Sequence, residues 1–139
     1  MERPAVPAPE ALTFRARRRT RWSDEDNQGV LNHAVVLTLL EEARHAFFSG
    51  KGLLEENRFP FLLAQANVVF LSPGRGGVEV EVELATTHVG ETSFTQAYRV
   101  RDVETGRVIA EAEARLVCYD PATGAKRPMS GSFRQALRA

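Results

Sequence analysis

The feature that most constrains the fold is a change in the spacing of apolar residues along the chain. From Ala34 to Gly50 they recur at about 3.6 residues, the period of an amphipathic helix, and elsewhere they alternate as in a β-strand. Asn32 suits the N-cap of this helix, and Gly50 and Gly52 supply a stop. The helix can bury its apolar face only if the surrounding strands form a sheet that wraps around it. The sequence therefore predicts an α+β domain.

Strand-like runs lie on both sides of the predicted helix. One precedes it at 13–22, and four follow it, with the sequences FLLAQANVVFL, VEVEVELATTHV, TSFTQAYRVRDV and RVIAEAEARLVCYD. The turn sequences SPGRGG, VGE and ETG divide the last four runs. In VEVEVEL the valines are predicted to face inward, and the glutamates outward: Glu79, Glu81 and Glu83.

The two ends of the chain differ from this pattern. Pro4, Pro7 and Pro9 disfavour regular structure, so residues 1–11 are expected to form a flexible leader and residues 12–139 a single domain. The tail is rich in turn residues and is expected to close with a helical turn at 133–137.

Composition narrows the classes of function. Apolar residues make up 43% of the chain and charged residues 26%, with 18 basic against 18 acidic side chains, which disfavours a nucleic-acid partner. No apolar run reaches the roughly 20 residues that span a membrane, and the first residues lack the layout of a signal peptide. We therefore expect a cytoplasmic protein without a membrane partner. The one cysteine, Cys118, is expected at a buried strand position and not as a nucleophile.

A short acidic stretch before the helix is the strongest candidate for a functional site. Asp24, Glu25 and Asp26 are followed by Gly29, and His33 opens the helical pattern. A carboxylate can attack a carbonyl or activate water, and the free amides of a helix start can polarise that carbonyl. The same residues also suit turns and caps. From spacing alone both interpretations of Asp26 stay open, and His33 is equally suited to a catalytic role or to packing at the helix start.

The segment WSDEDNQGVLNHAVVLTLLEEAR resembles the signature of the hotdog-fold acyl-CoA thioesterases, in the 4-hydroxybenzoyl-CoA thioesterase and Tol-Pal-associated group. The resemblance continues through FLSPGR, VGETSFTQAYRV and LVCYDPATG, over about residues 13–127. It implies a long central helix wrapped by a five-stranded antiparallel sheet. It also implies a homodimer or homotetramer with active sites between subunits, and an acyl-CoA substrate that brings coenzyme A with it.

The resemblance also implies site residues. The catalytic carboxylate falls on Asp26 and the assisting histidine on His33, and four further positions are expected to bind substrate: Trp22, Gly29, Val30 and Ser93. The group usually has a tyrosine where this chain has Trp22. Relatives often carry basic residues where this chain has residues 90–92, so coenzyme A phosphate contacts are not expected there.

Other patterns leave alternatives open. An arginine stripe, formed by Arg15, Arg17, Arg19 and Arg21, suits either coenzyme A phosphates or cross-strand pairing with the glutamates of VEVEVEL. We favour the pairing because the resemblance implies that the first and third strands lie side by side. Another branch of hotdog thioesterases has its catalytic acid on the helix and not in the preceding loop. In this chain Glu41 and Glu42 lie at such helix positions. Three scattered histidines and one cysteine give no metal-ligand spacing, so neither a metal nor a cofactor is expected. The alternative function is a non-catalytic acyl-CoA binding or regulatory module.

Overall fold

The protein folds into one antiparallel sheet of five strands and one long helix. The computed structural model describes residues 2–138, so Met1 and Ala139, the outer ends of the predicted leader and domain, lie outside it. The strands are β1 (Phe14–Arg19), β2 (Phe61–Phe70), β3 (Glu79–Val89), β4 (Ser93–Asp102) and β5 (Val108–Cys118), and the helices are α1 (His33–Gly50) and α2 (Gly131–Arg138). The order across the sheet is β1-β3-β4-β5-β2. This arrangement confirms the predicted α+β hotdog fold, and α2 is the predicted terminal turn in a longer form.

Helix α1 forms where the period of 3.6 was found. The Asn32 side chain accepts a hydrogen bond from the Ala34 N–H at 2.8 Å, which confirms the predicted N-cap. The apolar face of α1 packs on the inner face of the sheet, and Phe48 lies within 5.7 Å, between ring centroids, of both Phe61 and Phe94. Neither described helix is long and apolar enough to cross a membrane.

The outer face of β1 and β3 carries paired charges. Arg15 stands opposite Glu83, Arg17 opposite Glu81, and Arg19 opposite Glu79 in the register of the two strands. The Arg17 guanidinium contacts Glu81 at 3.1 Å and Glu79 at 3.3 Å. The structure thus confirms the favoured cross-strand pairing of the two stripes.

The predicted end of β1 needs correction, and the confirmed orientation of Glu83 comes with nearly complete burial. Strand β1 ends at Arg19 and not at Trp22, because a short 3-10 turn begins at Trp22. Arg21 therefore leaves the predicted stripe and pairs with Asp24. Glu83 faces outward as predicted but is only 2% exposed, because Arg15 and Arg101 contact its two carboxylate oxygens.

The leader crosses the outer face of β5, β4 and β2. The Ala5 N–H donates to Glu113 at 2.7 Å, and the Pro7 carbonyl accepts from the Arg99 guanidinium at 3.1 Å. The Glu2 carbonyl accepts from Asn67 on β2 at 3.2 Å. These bonds give the proline-rich segment a defined route across the sheet. Its expected flexibility stays a prediction.

Candidate active site

The acidic loop between β1 and α1 is anchored to the loop that joins β2 to β3. The Thr20 hydroxyl donates to the Arg75 carbonyl at 2.8 Å, and the Leu31 N–H donates to the Gly74 carbonyl at 2.9 Å. Gly76 lies so close that an added Cβ would stand 2.4 Å from the Arg21 carbonyl oxygen and 2.6 Å from the Trp22 Cα. Only glycine permits this approach. Backbone packing therefore fixes the position of the candidate site.

Asp24 holds the first turn of the acidic loop. Its carboxylate accepts the Arg21 N–H at 2.8 Å and the Arg21 guanidinium at 3.1 Å, and the residue is 8% exposed. The backbone hydrogen bond from Arg21 lowers the pKa of Asp24 below its ordinary value, with a further contribution from the guanidinium. Glu25 has a comparable anchoring role, because its carboxylate accepts the Gly76 N–H at 2.9 Å.

Asp26 lies in a tight turn at the tip of the loop. The Gly29 N–H donates to the Asp26 carbonyl at 3.0 Å, and Gly29 has a φ of +74°, which favours glycine. The Asp26 Oδ1 accepts the Gln28 N–H at 2.8 Å, whereas Oδ2 has no hydrogen bond with a described residue. The side chain is half-buried. Asp26 is therefore a turn former that keeps one carboxylate oxygen available.

The start of α1 offers one free backbone donor beside this loop. The Asn32 side chain accepts a hydrogen bond from the Ala34 N–H at 2.8 Å, and the Asn32 carbonyl accepts one from the Val35 N–H at 3.0 Å. The His33 N–H has no such bond within residues 2–138. The His33 side chain is exposed. A helix start with a free amide and an adjacent imidazole can donate hydrogen bonds to a developing oxyanion.

The structure groups most of the predicted site residues and separates one. Trp22, Gly29 and Val30 belong to the same loop as Asp26, and the Trp22 side chain is 82% exposed. Ser93 pairs with Val117 near the far end of β5, whereas Leu31 of the acidic loop bonds to Gly74, which lies beside Ile109 near the start of β5. At roughly 3.3 Å per residue, these ends of β5 lie about 30 Å apart. A single chain therefore does not bring Ser93 to the acidic loop.

Arg44 is a polar residue of α1 that sequence reasoning missed. It is 5% exposed, and its Nε donates to the Tyr98 hydroxyl at 2.9 Å. Burial raises the pKa of Tyr98, and the charge of Arg44 partly opposes that rise. Arg44 lines a groove of about 250 Å³ between α1 and β2. Its position four residues after Leu40, on the edge of the apolar face, was the signal available in the sequence.

Other candidate chemistry has less support. Cys118 is buried at the end of β5, as predicted, and burial raises its thiol pKa to about 11, so the thiol is protonated near neutral pH. Glu41 and Glu42 are exposed on α1, and Glu42 lies 3.7 Å from Arg18. Among residues 2–138 no three histidine, cysteine or acidic side chains converge as metal ligands.

Comparisons with known proteins agree on one family. The sequence profile of the Thioesterase-like superfamily matches residues 20–137. The chain is 31% identical over 113 residues to the acyl-CoA thioester hydrolase YbgC of Escherichia coli, covering 78% of this chain and 83% of that protein. It is 28% identical over 128 residues to the 1,4-dihydroxy-2-naphthoyl-CoA hydrolase of Rippkaea orientalis, covering 88% and 93%.

A solved structure gives the same match. A thioesterase of Thermus thermophilus, crystallised with coenzyme A and Zn, superposes with a TM-score of 0.78 at 30% identity. The alignment covers 88% of this chain and 90% of that one. The similarity therefore extends over most of the sheet and the helix.

Proposed function

Because the chain belongs to the Thioesterase-like superfamily, we propose that it is an acyl-CoA thioesterase in which Asp26 acts as nucleophile or general base. The observation that carries the proposal is the half-buried Asp26 carboxylate, with one oxygen free, in the loop before a helix start that has a free amide. The names of the relatives from Escherichia coli and Rippkaea orientalis support the reaction class.

The proposed reaction needs only groups present in the chain and water. As general base, Asp26 takes a proton from water while the water oxygen adds to the thioester carbonyl. As nucleophile, Asp26 instead forms an anhydride that water then opens. In either route the His33 N–H stabilises the oxyanion, and the carbon–sulfur bond breaks. The sulfur takes a proton, from Asp26 in the first route and from water in the second, and leaves as the thiol of coenzyme A. The His33 imidazole assists by bonding the substrate or carrying a proton. No metal or cofactor takes part.

Substrate binding is proposed at the exposed part of the same loop. Trp22 presents an apolar surface, and Gly29 and Val30 both bond to the backbone of Asp26. Ser93 can take part only if a second subunit brings it to the loop, since one chain keeps it far away.

We propose that this second subunit pairs along β2. Strand β2 is an edge of the sheet, ten residues long, and exposed apolar residues lie on it or directly after it: Leu62, Leu63, Phe70 and Leu71. A long apolar edge is a template for pairing with another strand, whereas the other edge, β1, is short and rich in arginine. The protein would then form a homodimer, or a homotetramer built from two such dimers. We also propose that it is cytoplasmic.

The test is release of free thiol from a panel of short, long and aromatic acyl-CoAs. Asp26→Asn is the informative variant, because an asparagine oxygen can still accept the Gln28 N–H and keep the turn. We expect kcat to fall by roughly two or more orders of magnitude, as for loss of an acid–base group, with an unchanged melting temperature.

The matched control is Glu104→Gln, which removes an exposed carboxylate in the turn after β4. It should leave kcat unchanged. Full activity of Asp26→Asn would reject Asp26 as the catalytic group. Saturable acyl-CoA binding by the wild type without thiol release would favour a non-catalytic module instead.

A further inference from the structure

Arg44 is a buried cation without a counter-ion in the described part of the chain. It is 5% exposed, and no described carboxylate forms an ion pair with it. Its side chain makes one hydrogen bond, from Nε to the Tyr98 hydroxyl. The guanidinium also lies over the Tyr98 ring, 5.5 Å from its centroid, but a cation–π contact and a hydroxyl group stabilise the charge without neutralising it. One chain therefore leaves the charge of Arg44 without a counter-ion, at a groove whose open side adjoins the β2 edge where we propose that a second subunit pairs.

A chain of hydrogen bonds fixes the orientation of this guanidinium. The Tyr98 hydroxyl donates to the Gln96 Oε1 at 2.9 Å, and the Gln96 Nε2 donates to the Thr86 hydroxyl at 3.3 Å. Tyr98 and Gln96 are fully buried. Because Tyr98 occupies Nε, the two terminal nitrogens of Arg44 keep their donors without a described partner. Such a fork matches the two oxygens of a carboxylate.

The groove beside Arg44 suits an acyl chain. Its walls include the apolar side chains of Leu37, Leu40 and Leu63. Two acids also line it. Glu41 is exposed, so water screens its charge, and the carboxylate of Glu113 binds the leader amide of Ala5. Arg44 is therefore the cation available at the inner end of a mainly apolar groove.

We propose that this groove is the acyl subsite and that Arg44 binds a carboxylate at the distal end of the acyl group. The substrate class is thus an ω-carboxyacyl-CoA. This inference rests on the proposed function, because it takes the helix start as the site of the thioester carbonyl. Arg44 then determines specificity and takes no part in the bond-breaking step.

Helix geometry gives the expected length of the acyl group. Side chains of a helix tilt towards its N-terminus, so the Arg44 guanidinium lies beside residues 40–41, about 10 Å from the start of α1 at a rise of 1.5 Å per residue. An extended chain advances roughly 1.2 Å per bond, so about eight carbons span this distance. Suberyl-CoA is the matching probe, and octanoyl-CoA is its counterpart with a methyl end.

The experiment compares kcat/KM for suberyl-CoA and octanoyl-CoA in the wild type and in Arg44→Met. We expect the wild type to prefer suberyl-CoA by about 10- to 100-fold, the range of a charged hydrogen bond, and Arg44→Met to lose that preference. Arg44→Lys keeps the charge without the fork and should retain part of the preference. Arg18→Met, which removes a cation that pairs with Glu42, should leave the ratio unchanged.

A purely structural role for Arg44 predicts a different result. Arg44→Met would then lower kcat/KM for both substrates equally, together with the melting temperature, and the ratio would not move, which overturns the proposal. A wild type that prefers octanoyl-CoA overturns it as well.

A binding measurement separates this proposal from the proposed function. Calorimetry with two thioethers of coenzyme A, the carboxyheptyl and the octyl form, needs no hydrolysis. Tighter binding of the carboxyheptyl form by the wild type, lost in Arg44→Met, supports the subsite even if no thioester is cleaved. Equal binding of the two forms rejects the subsite. If other acyl-CoAs are hydrolysed in that case, the proposed thioesterase function still stands.

Discussion

At the scale of single residues, Asp24 links the stability of the loop to pH. Its pKa is lowered in the folded state below the ordinary value of 3.8. The contribution of its carboxylate is therefore fully present above about pH 4 and is lost as the pH falls through the folded-state pKa. We expect Asp24→Asn to lower the free energy of unfolding by about 1–2 kcal/mol at neutral pH.

Urea unfolding of the wild type and of Asp24→Asn between pH 2 and 7 measures this difference in the free energy of unfolding. The titration of Asp24 extends over roughly two pH units. The difference should shrink as the pH falls below about 4. A difference that stays constant down to the lowest pH would show that the charge of Asp24 does not act through its bond to Arg21. Glu104→Gln, at an exposed turn, should change the free energy by less than about 0.5 kcal/mol.

Gly76 is a second residue at which the surroundings restrict the side chain, because no space is left for a Cβ. In Gly76→Ala the new Cβ would meet the backbone of Arg21 and Trp22, so the acidic loop must shift. We expect a loss of about 1–3 kcal/mol in the free energy of unfolding and a lower kcat for thioester hydrolysis. Gly50→Ala is the control, since its Cβ meets no atom within 4 Å and alanine favours helix. Equal stability of the two variants would contradict the close packing of the loops.

At the scale of elements, the charges on β1 and β3 should couple the two strands. A double-mutant cycle of Arg17→Gln and Glu81→Gln measures the pair that stands in register at 3.1 Å. We expect a coupling energy of about 0.2–1 kcal/mol, smaller in high salt because Arg17 is exposed. As a control, Arg17→Gln and Glu104→Gln, at the distant turn, should have additive effects on the free energy of unfolding. A coupling that salt does not change would mean that packing, not charge, joins these residues.

The elements were largely predictable because their signals are local. Alternation in the sequence determines which residues of a strand share a face, so each stripe could be recognised, whereas the pairing of the two strands followed from the resemblance. The end of β1 could not, because it depends on the Thr20 hydroxyl meeting carbonyls of a loop more than fifty residues away. The burial of Glu83 likewise needs Arg101, on another strand.

The location of the candidate site along the sequence could be predicted, but the separate roles of its residues could not. The residue types from Asp24 to His33 indicated a loop with free carboxylates, but not how the carboxylates divide their roles. In the structure Asp24 uses both carboxylate oxygens and Glu25 uses one to anchor the backbone, whereas Asp26 bonds only within its own turn and keeps the other oxygen free of described partners. Arg44 and Tyr98 meet across the core from positions 54 residues apart, so no local pattern joins them.

At the scale of the whole molecule, the two edges of the sheet predict how subunits associate. If β2 is the dimer edge, Leu62→Lys should shift the sedimentation of the protein towards the monomer and reduce thiol release, since a charged edge resists strand pairing. Thr13→Lys, next to the β1 edge, is the matched control and should sediment like the wild type. A wild type that sediments only as a monomer would reject the shared site.

The route of the leader also sets an order of events during synthesis. Residues 2–7 are synthesised before the strands that they cross, yet Pro7 bonds to a residue 92 positions later and Ala5 to one 108 positions later. Closing loops of that length costs entropy that only a formed sheet can offset. Residues 2–7 are therefore fixed only after these strands have formed, and the outer face of the nascent sheet stays uncovered until β5 has been translated.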